Sequence, residues 1–496
     1  MKKREEFKVL FVLANGYMDT LIPPSLSLLS AYLKKEGFQV KLFDTVFYKT
    51  KEKSGDEARY ETLQVKSADV SIYGVKSEGT DLYADFRKMV LEYKPDLIAL
   101  SAIEATYNLG ISLLNSIKDI NIKKIVGGIY ATINPNEAIS EECVDIVCVG
   151  EGDNALTELC RRLWQGEDYS DIKNLWIKKG DGSLVTNDMA SPVNVNEMPF
   201  QDWSIFNRKR LFKSMGGKIN ITGCIELNRG CPYLCTYCCN DKLRELYKGK
   251  FYRERDVGNF IEEVLEKKKK YNLGYVYIAA ESFLSTKKER FDEFIRLYKR
   301  TGIPFWVQSR PEAIEEDKIR RLESVGCEGL SVGIEHGNEE YRRKVLHRRM
   351  TDDVIVKAFK ILNKFKGIRN CANSIIGFPD ETRDQIFETI ELAKRTQARN
   401  VMVHIFNPYK GTKLYDLCLE KNYLRNNNLS GDYRMDVIID NPNISSDELK
   451  GLQRTFVLYV KFPETRYEEI ERAERFDKEG NELFQKLSTE FKKTYL

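Results

Sequence analysis

Asn228-Arg229-Gly230-Cys231-Pro232-Tyr233-Leu234-Cys235-Thr236-Tyr237-Cys238 places three thiols at C-x3-C-x2-C spacing, directly after an apolar run at 219–227. That run opens a series of six strand-like segments, 219–227, 275–280, 304–308, 329–335, 370–377 and 400–405. Amphipathic stretches such as 256–271, 287–300 and 381–395 separate them. Alternating strand and helix periodicities predict a parallel sheet with crossover helices. Six units are too few for a closed eight-fold barrel and predict a partial, TIM-like (β/α)6 barrel, whose chemistry gathers at the C-terminal ends of the strands. The three thiols fall at that end of the first strand. At this spacing they suit three irons of a four-iron cluster, leaving the fourth iron open to a ligand. The alternative is structural zinc, which needs four ligands, usually as two separated pairs. Only the Cys235 and Cys238 half of such a site is present, because Cys224 lies on the preceding strand and Cys239 follows Cys238 directly.

A chain of 496 residues predicts two or three domains. Its 79 basic and 75 acidic side chains nearly cancel, at +4, which excludes the basic field of a dedicated nucleic-acid binder and points to small-molecule or peptide chemistry. No apolar run approaches the roughly 20 residues needed to span a bilayer. The N-terminus runs straight into a strand pattern without a cleavage site, so a cytoplasmic location is expected. Of eleven cysteines, five lie between Cys224 and Cys239, a density that burial does not explain. Cys143, Cys148, Cys160 and Cys418 read as small buried apolar residues.

The N-terminal third alternates in the same way. Strands are expected at 9–13, 39–44, 97–101, 124–127 and 146–149, with helices from about 25, 81, 107 and 135 and a last one at 154–165. Five such units make a doubly wound, Rossmann-like α/β domain over 1–165. Within it the polar stretch 48–80 reads as a loop or small insertion. A connector follows at 166–215, with a hairpin around 179–182; the barrel takes 216–430, and 431–496 is a helical C-terminal segment of two or three helices from 446 onward. Doubly wound sheets bind ligands beyond the carboxyl ends of their strands, so the candidate binding residues are Pro23, Ser25, Ser101, Thr106, Gly127, Gly128, Gly150 and Glu151.

With Tyr237 as its aromatic, the cysteine loop resembles the C-x3-C-x-aromatic-C hallmark of the radical S-adenosylmethionine (radical SAM) enzymes. The resemblance implies a 4Fe–4S cluster on Cys231, Cys235 and Cys238 whose open iron binds S-adenosylmethionine. It also implies an electron donor such as flavodoxin or ferredoxin, and reductive cleavage to a 5′-deoxyadenosyl radical. Later segments resemble the same family in order: Glu281 in 278–283 for the methionine amino group, and Arg310 in 308–311 for its carboxylate. Glu335 stands in the fourth-strand motif 331–337, with His336 where many members have serine. Gly377 in 373–382 would lie beside the adenine, and Phe406 in 404–412 would pack on the adenosine.

The N-terminal loops resemble the cobalamin-binding domain fused to many of these enzymes, and the two resemblances together cover most of residues 8–430. The Asp-x-His-x-x-Gly motif of many cobalamin domains is missing. The three histidines, His336, His347 and His404, all lie beyond the cysteine loop, so cobalt would have no histidine from its own domain. What the resemblance implies is a cobalamin-dependent enzyme methylating an unactivated carbon of a small molecule or natural-product intermediate. A non-methylating rearrangement or cyclisation, and a non-catalytic cobalamin or iron–sulfur binding protein, remain open. A methylthiotransferase is disfavoured because residues 1–142 hold no cysteine for a second cluster. Peptide-modifying members with extra C-terminal clusters are disfavoured because only Cys418 lies beyond Cys371.

Overall fold

The run Val9-Leu10-Phe11-Val12-Leu13 is apolar on both faces because it forms the buried middle of a sheet covered by helices on each side. In the computed structural model, which describes residues 3–248, 250–425, 432, 434 and 436–495, this is strand β1 (Lys8–Leu13). It pairs in parallel with β2 (Gln39–Asp44) on one side and β3 (Leu97–Ser101) on the other, and β4 (Lys123–Gly127) and β5 (Ile146–Cys148) continue the sheet. The order β2-β1-β3-β4-β5 reverses direction at β1 and β3, where a doubly wound sheet leaves a crevice for ligands. Helix Pro24–Lys35 starts on a proline at its first turn, and helix Leu82–Tyr93 on Asp81, whose carboxylate accepts from the Ala84 N–H at 2.7 Å.

This sheet runs past residue 165. β6 (Leu175–Lys178) pairs antiparallel with β5, and β7 (Leu184–Thr186) with β6. The hairpin expected in the connector is therefore part of the first sheet. Its physical reason is the short β5, whose free edge Leu175, Trp176 and Ile177 cover. The rest of the connector docks on the barrel. Trp203 is buried, its Nε1 donates to Gln201 Oε1 at 2.9 Å, and the Gln201 N–H donates to Glu263 at 2.5 Å.

The second sheet has the order β16-β15-β14-β13-β12-β9-β8. β8 (Phe212–Met215) is its antiparallel edge. β9 (Lys218–Glu226) begins the six parallel strands, and the ribbon β10 (Asn228–Arg229) with β11 (Arg253–Glu254) follows at the entry to the cysteine loop. β12 (Tyr275–Ala279), β13 (Phe305–Ser309), β14 (Cys327–Glu335), β15 (Arg369–Ile376) and β16 (Asn400–Ile405) complete the expected partial barrel.

A half-barrel leaves two sheet edges to be satisfied. The stretch 48–80 does much of this and is more than a loop. It holds helix Gly55–Glu61, started by a capping box in which Ser54 Oγ accepts from the Glu57 N–H and Glu57 accepts from the Ser54 N–H. On the β16 side, Gln64 Oε1 accepts from the Val403 N–H at 3.0 Å. On the β8 side, Lys213 reaches Asp56 at 2.7 Å and the Tyr73 ring stacks on Phe212. Helix Ser446–Lys461, buried around most of its circumference, packs on β16, with helices Tyr467–Glu474 and Lys478–Tyr495 outside it. The tail thus forms three helices; the expected boundary at 430–431 lies outside the described residues.

Arg255 and Glu263 form a fully buried ion pair at 2.5 Å that also holds the connector through Gln201. Removing one partner of such a pair strands the other charge. Glu263→Ala is expected to cost about 3–5 kcal/mol, read as a lower urea midpoint, and the double change Glu263→Leu with Arg255→Met is expected to recover most of the loss.

Candidate active site

The cysteine loop leaves the C-terminal end of β9 and turns directly into helix Cys239–Leu246, with Cys238 as the residue before its first turn. The helix therefore points its positive end at the thiols. Three contacts hold the loop: Arg244 donates to the Pro232 carbonyl at 2.7 Å, Thr236 Oγ1 to the Val345 carbonyl at 2.6 Å, and Tyr233 OH lies 2.9 Å from Ser285 Oγ. Cys235 is buried, and Cys231 and Cys238 are partly exposed. Two guanidinium groups approach Cys235 Sγ, Arg310 at 3.4 Å and Arg348 at 3.9 Å, an electropositive setting suited to anionic sulfur. Burial pushes the Cys231 thiol up to about 12. Among the described residues, no three His, Cys, Asp or Glu side chains close on a point for a single ion, the arrangement that the zinc alternative requires.

The other barrel candidates divide by what they touch. Arg310 stacks on the Tyr233 ring at 3.9 Å and pairs with Glu312 at 2.7 Å, so it braces the cysteine loop. Glu335 sits at a register shift between β14 and β15 with φ +66, a conformation rare for a side-chain-bearing residue, and faces Arg348 at 3.5 Å. Arg348, absent from the sequence reading, also donates to Tyr237 OH at 3.4 Å and to the Gly333 carbonyl at 2.5 Å. It is a buried joint between the aromatic of the cysteine loop and the fourth strand. Phe406 packs against Phe378 in a small apolar cluster with Leu346 and Leu414. Gly377 does make a close approach, but to protein: a Cβ there would meet Leu449 at 2.4 Å. A glycine in such a motif announces close contact without saying with what. Next to Phe406, Asn407 is buried with both amide atoms unpartnered, an open donor and acceptor at the end of the sixth strand.

His336, the departure in the fourth-strand motif, is fully buried. Its Nδ1 accepts from the Asn338 N–H at 3.0 Å, which leaves the proton on Nε2, 2.9 Å from Glu381 Oε1. The other Glu381 oxygen accepts from the Gly377 and Phe378 N–H groups at 2.5 and 2.9 Å. This pair ties the ends of β14 and β15 together.

Between the barrel top and the first sheet lies a cavity of about 400 Å3. Ser25, Ser101, Gly127, Gly128, Gly150 and Glu151 line it from the N-terminal domain; Glu226, Arg229, Gly230, Tyr247 and Glu281 line it from the barrel. Pro23 and Thr106 are not on its wall. The Pro23 carbonyl accepts from Ser27 Oγ at 3.1 Å, and Thr106 Oγ1 turns back to the Ile103 carbonyl within its own helix. Gly128 has φ +104, and a Cβ there would lie 2.5 Å from the Ala102 carbonyl oxygen. With exposed Ile103 and Ile129 at the rim, the N-terminal wall is a backbone and apolar surface that fits a flat ring system. Burial and then the nearby Glu226 charge raise the Glu281 carboxyl above the usual range.

Glu151 is held by protein as well as facing the cavity. Its carboxylate accepts from Arg253 at 3.0 Å, Arg229 at 3.3 Å and the Val193 N–H at 2.8 Å, while its own N–H donates to Tyr247 OH at 2.7 Å. Against the effect of burial, the Arg253 and Arg229 guanidiniums keep it below the usual carboxylate range. Arg229 also reaches Asp153 at 3.3 Å and Glu226 at 2.9 Å.

A family model described as the radical SAM superfamily matches residues 225–393, and one described as a B12 binding domain matches 12–160. An uncharacterized methyltransferase of Pyrococcus horikoshii is 26% identical over 387 residues, 77% of this chain and 81% of its own. Among solved structures, TsrM of Kitasatospora setae, a radical S-adenosylmethionine methyltransferase with cobalamin and a 4Fe–4S cluster bound, aligns with a TM-score of 0.63 at 16% identity, over 84% of this chain and 75% of that one. OxsB, a cobalamin-dependent S-adenosylmethionine radical enzyme, aligns with a TM-score of 0.66 at 15% identity, over 98% and 72%. At these identities the structural likeness is one of fold.

If Cys231, Cys235 and Cys238 are the three sulfur ligands, alanine at any one of them is expected to remove the visible absorption of the reconstituted iron–sulfur protein and cut S-adenosylmethionine cleavage at least ~100-fold. Cys239→Ala is expected to keep both. Absorption spectra and 5′-deoxyadenosine chromatography of the four anaerobic variants check this.

Proposed function

We propose that this chain, a radical SAM protein carrying a B12-binding domain, is a cobalamin-dependent methyltransferase that acts on an unactivated carbon of a small molecule. The observation that carries the reading is the cavity between the domains, whose opposite walls are the strand-end loops of the first sheet and the residues around the cysteine loop. When bound, the 4Fe–4S cluster supplies the electron that splits S-adenosylmethionine into methionine and a 5′-deoxyadenosyl radical, and the cobalamin supplies the methyl group.

The chain's own residues would divide the remaining work. Cys231, Cys235 and Cys238 would hold the cluster, with Arg310 and Arg348 balancing the negative charge of its sulfurs. Glu281 would receive the ammonium of S-adenosylmethionine at the cavity wall. The unpartnered Asn407 amide would meet a polar edge of the adenosine. Gly127, Gly128 and Gly150 would let the first sheet's backbone come close to the corrin, and Ile103 and Ile129 would shield its rim. No histidine precedes His336, so the cobalt would take no histidine from its own domain. The electron would come from a flavodoxin- or ferredoxin-type donor. No helix among the described residues is long and apolar enough to cross a membrane.

Anaerobic reconstitution with iron, sulfide and hydroxocobalamin tests the reading: four irons and one cobalt per chain, with 5′-deoxyadenosine formed on reduction, are expected. Failure to take up cobalt would remove the cobalamin half of the proposal. A single change separates the halves. Gly128→Ala forces a Cβ against the Ala102 carbonyl, a steric cost of about 1–3 kcal/mol. It is expected to lower cobalamin retention ~10-fold or more while leaving the cluster spectrum unchanged.

A further inference from the structure

The polar stretch 48–80 reaches β8 through Asp56 and Tyr73 and β16 through Gln64, so it forms a strap across the open side of the half-barrel. What it presents to the interior follows from strand alternation. Ala372 and Ile376 on β15, and Val401, Val403 and Ile405 on β16, pack outward in the main core, which turns Cys371, Asn373 and Ile375, and Met402 and His404, inward. Barrel interiors are ordinarily filled by branched apolar side chains. This one is polar: Trp306 Nε1 donates to Ser331 Oγ at 3.0 Å, Tyr277 OH to Gln308 Oε1 at 3.3 Å, and Cys371 Sγ to Asn373 Oδ1 at 3.2 Å. A polar barrel interior is suited to holding a polar substrate.

Arg59 stands on the strap's helix at this wall. Its side chain is only 20% exposed, its Nε is buried without a partner, and its guanidinium makes no hydrogen bond among the described residues. Its nearest acid, Asp56, lies 3.7 Å away and gives its other oxygen to Lys213 at 2.7 Å. The neighbouring cation Arg434 is occupied by Asp19 at 3.1 Å. The charge of Arg59 is felt at the inward-facing His404, which burial first, then Arg59 and Arg434, push down to about 3. A buried guanidinium Nε without an acceptor is costly unless something else satisfies it, and the terminal nitrogens stay open to a ligand.

We propose that Arg59 receives an acidic group of the substrate, a carboxylate or a phosphate, at the base of the barrel chamber. This rests on the methyltransferase reading and adds to it that the substrate enters the barrel interior, which gives the strap a role in choosing the substrate. Neutral His404 and the amide of Asn373 line the same interior, and the acid felt there, Asp432, is paired with Lys51 at 3.4 Å.

The test uses reconstituted full-length protein and two probes, sodium succinate and sodium phosphate, each titrated by calorimetry. Saturable binding of one or both is expected, weakened at least ~10-fold in Arg59→Gln and less in Arg59→Lys, because a bidentate charge-assisted contact is worth more than a point charge. The stronger of the two anions identifies the acid. A second measurement needs no variant: phenylglyoxal should label Arg59 in the wild-type protein, and the bound anion should protect it, as mapped by mass spectrometry. Absence of binding by both anions, unchanged binding in a folded Arg59→Gln protein, or an Arg59 that is unlabelled or unprotected would overturn the proposal. The assay involves no radical chemistry, so its failure would leave the methyltransferase reading standing, and absence of S-adenosylmethionine cleavage would leave anion binding intact.

Discussion

The Glu151 carboxylate, gripped by Arg253 from the β11 ribbon and by Arg229 from the entry of the cysteine loop, sets how the two sheets face each other. It lies in the loop after β5, at the carboxyl edge of the first sheet; Arg229 lies two residues before Cys231, at the carboxyl edge of the second. One junction thus brings together the ends at which both folds collect ligands. Partial burial makes it stronger than a surface pair, and Arg229 is shared among Glu151, Asp153 and Glu226, so its charge has several partners. The cavity is the space these contacts leave between the two edges.

A second constraint shapes the rest. Six parallel strands do not close, and the half-barrel leaves unpaired edges at β8 and β16. The molecule covers them with material far apart in the chain, the strap at 48–80 and the buried helix Ser446–Lys461. The barrel wall therefore includes part of the N-terminal domain, and the charge of its Arg59 is felt at His404 and Cys371 on the last two strands. The orphaned Nε of Arg59 and the polar barrel interior belong to the same arrangement, because the strap that covers the open side brings both to one wall.

The local part of this was legible in the residues. The C-x3-C-x-aromatic-C loop at a strand's carboxyl end, the alternating strand and helix periods, and the helical tail, expected as two or three helices, each depend on neighbours close in sequence. What was not legible depends on long-range pairing. Nothing in 175–186 announces that the hairpin completes the first sheet, since that depends on β5 being only three residues long. The strap's polar composition suits a loop, and only its contacts with β8 and β16 reveal it as a wall. Gly377 signalled a close approach, and Leu449, more than seventy positions later, is what approaches. Glu151 was legible as a cavity residue but not as the interdomain anchor. Arg348 was not singled out because an arginine in a basic run carries no motif, and Asn407 lay within the 404–412 segment from which only Phe406 was picked. Their significance comes from burial, and the clearest available hint was the placement of Asn407 at the end of the sixth strand.

Cobalt in the cavity between the domains would face iron held by the cysteine loop at its barrel side. An anaerobic crystal structure of the reconstituted protein, with anomalous maps at the iron and cobalt absorption edges, tests it most directly. The expected result is an iron peak at Cys231, Cys235 and Cys238, on the loop that begins at the cavity wall with Arg229 and Gly230, and a cobalt peak inside the cavity against Gly127, Gly128 and Gly150. A cobalt peak elsewhere on the molecule, or iron away from those three sulfurs, would contradict it.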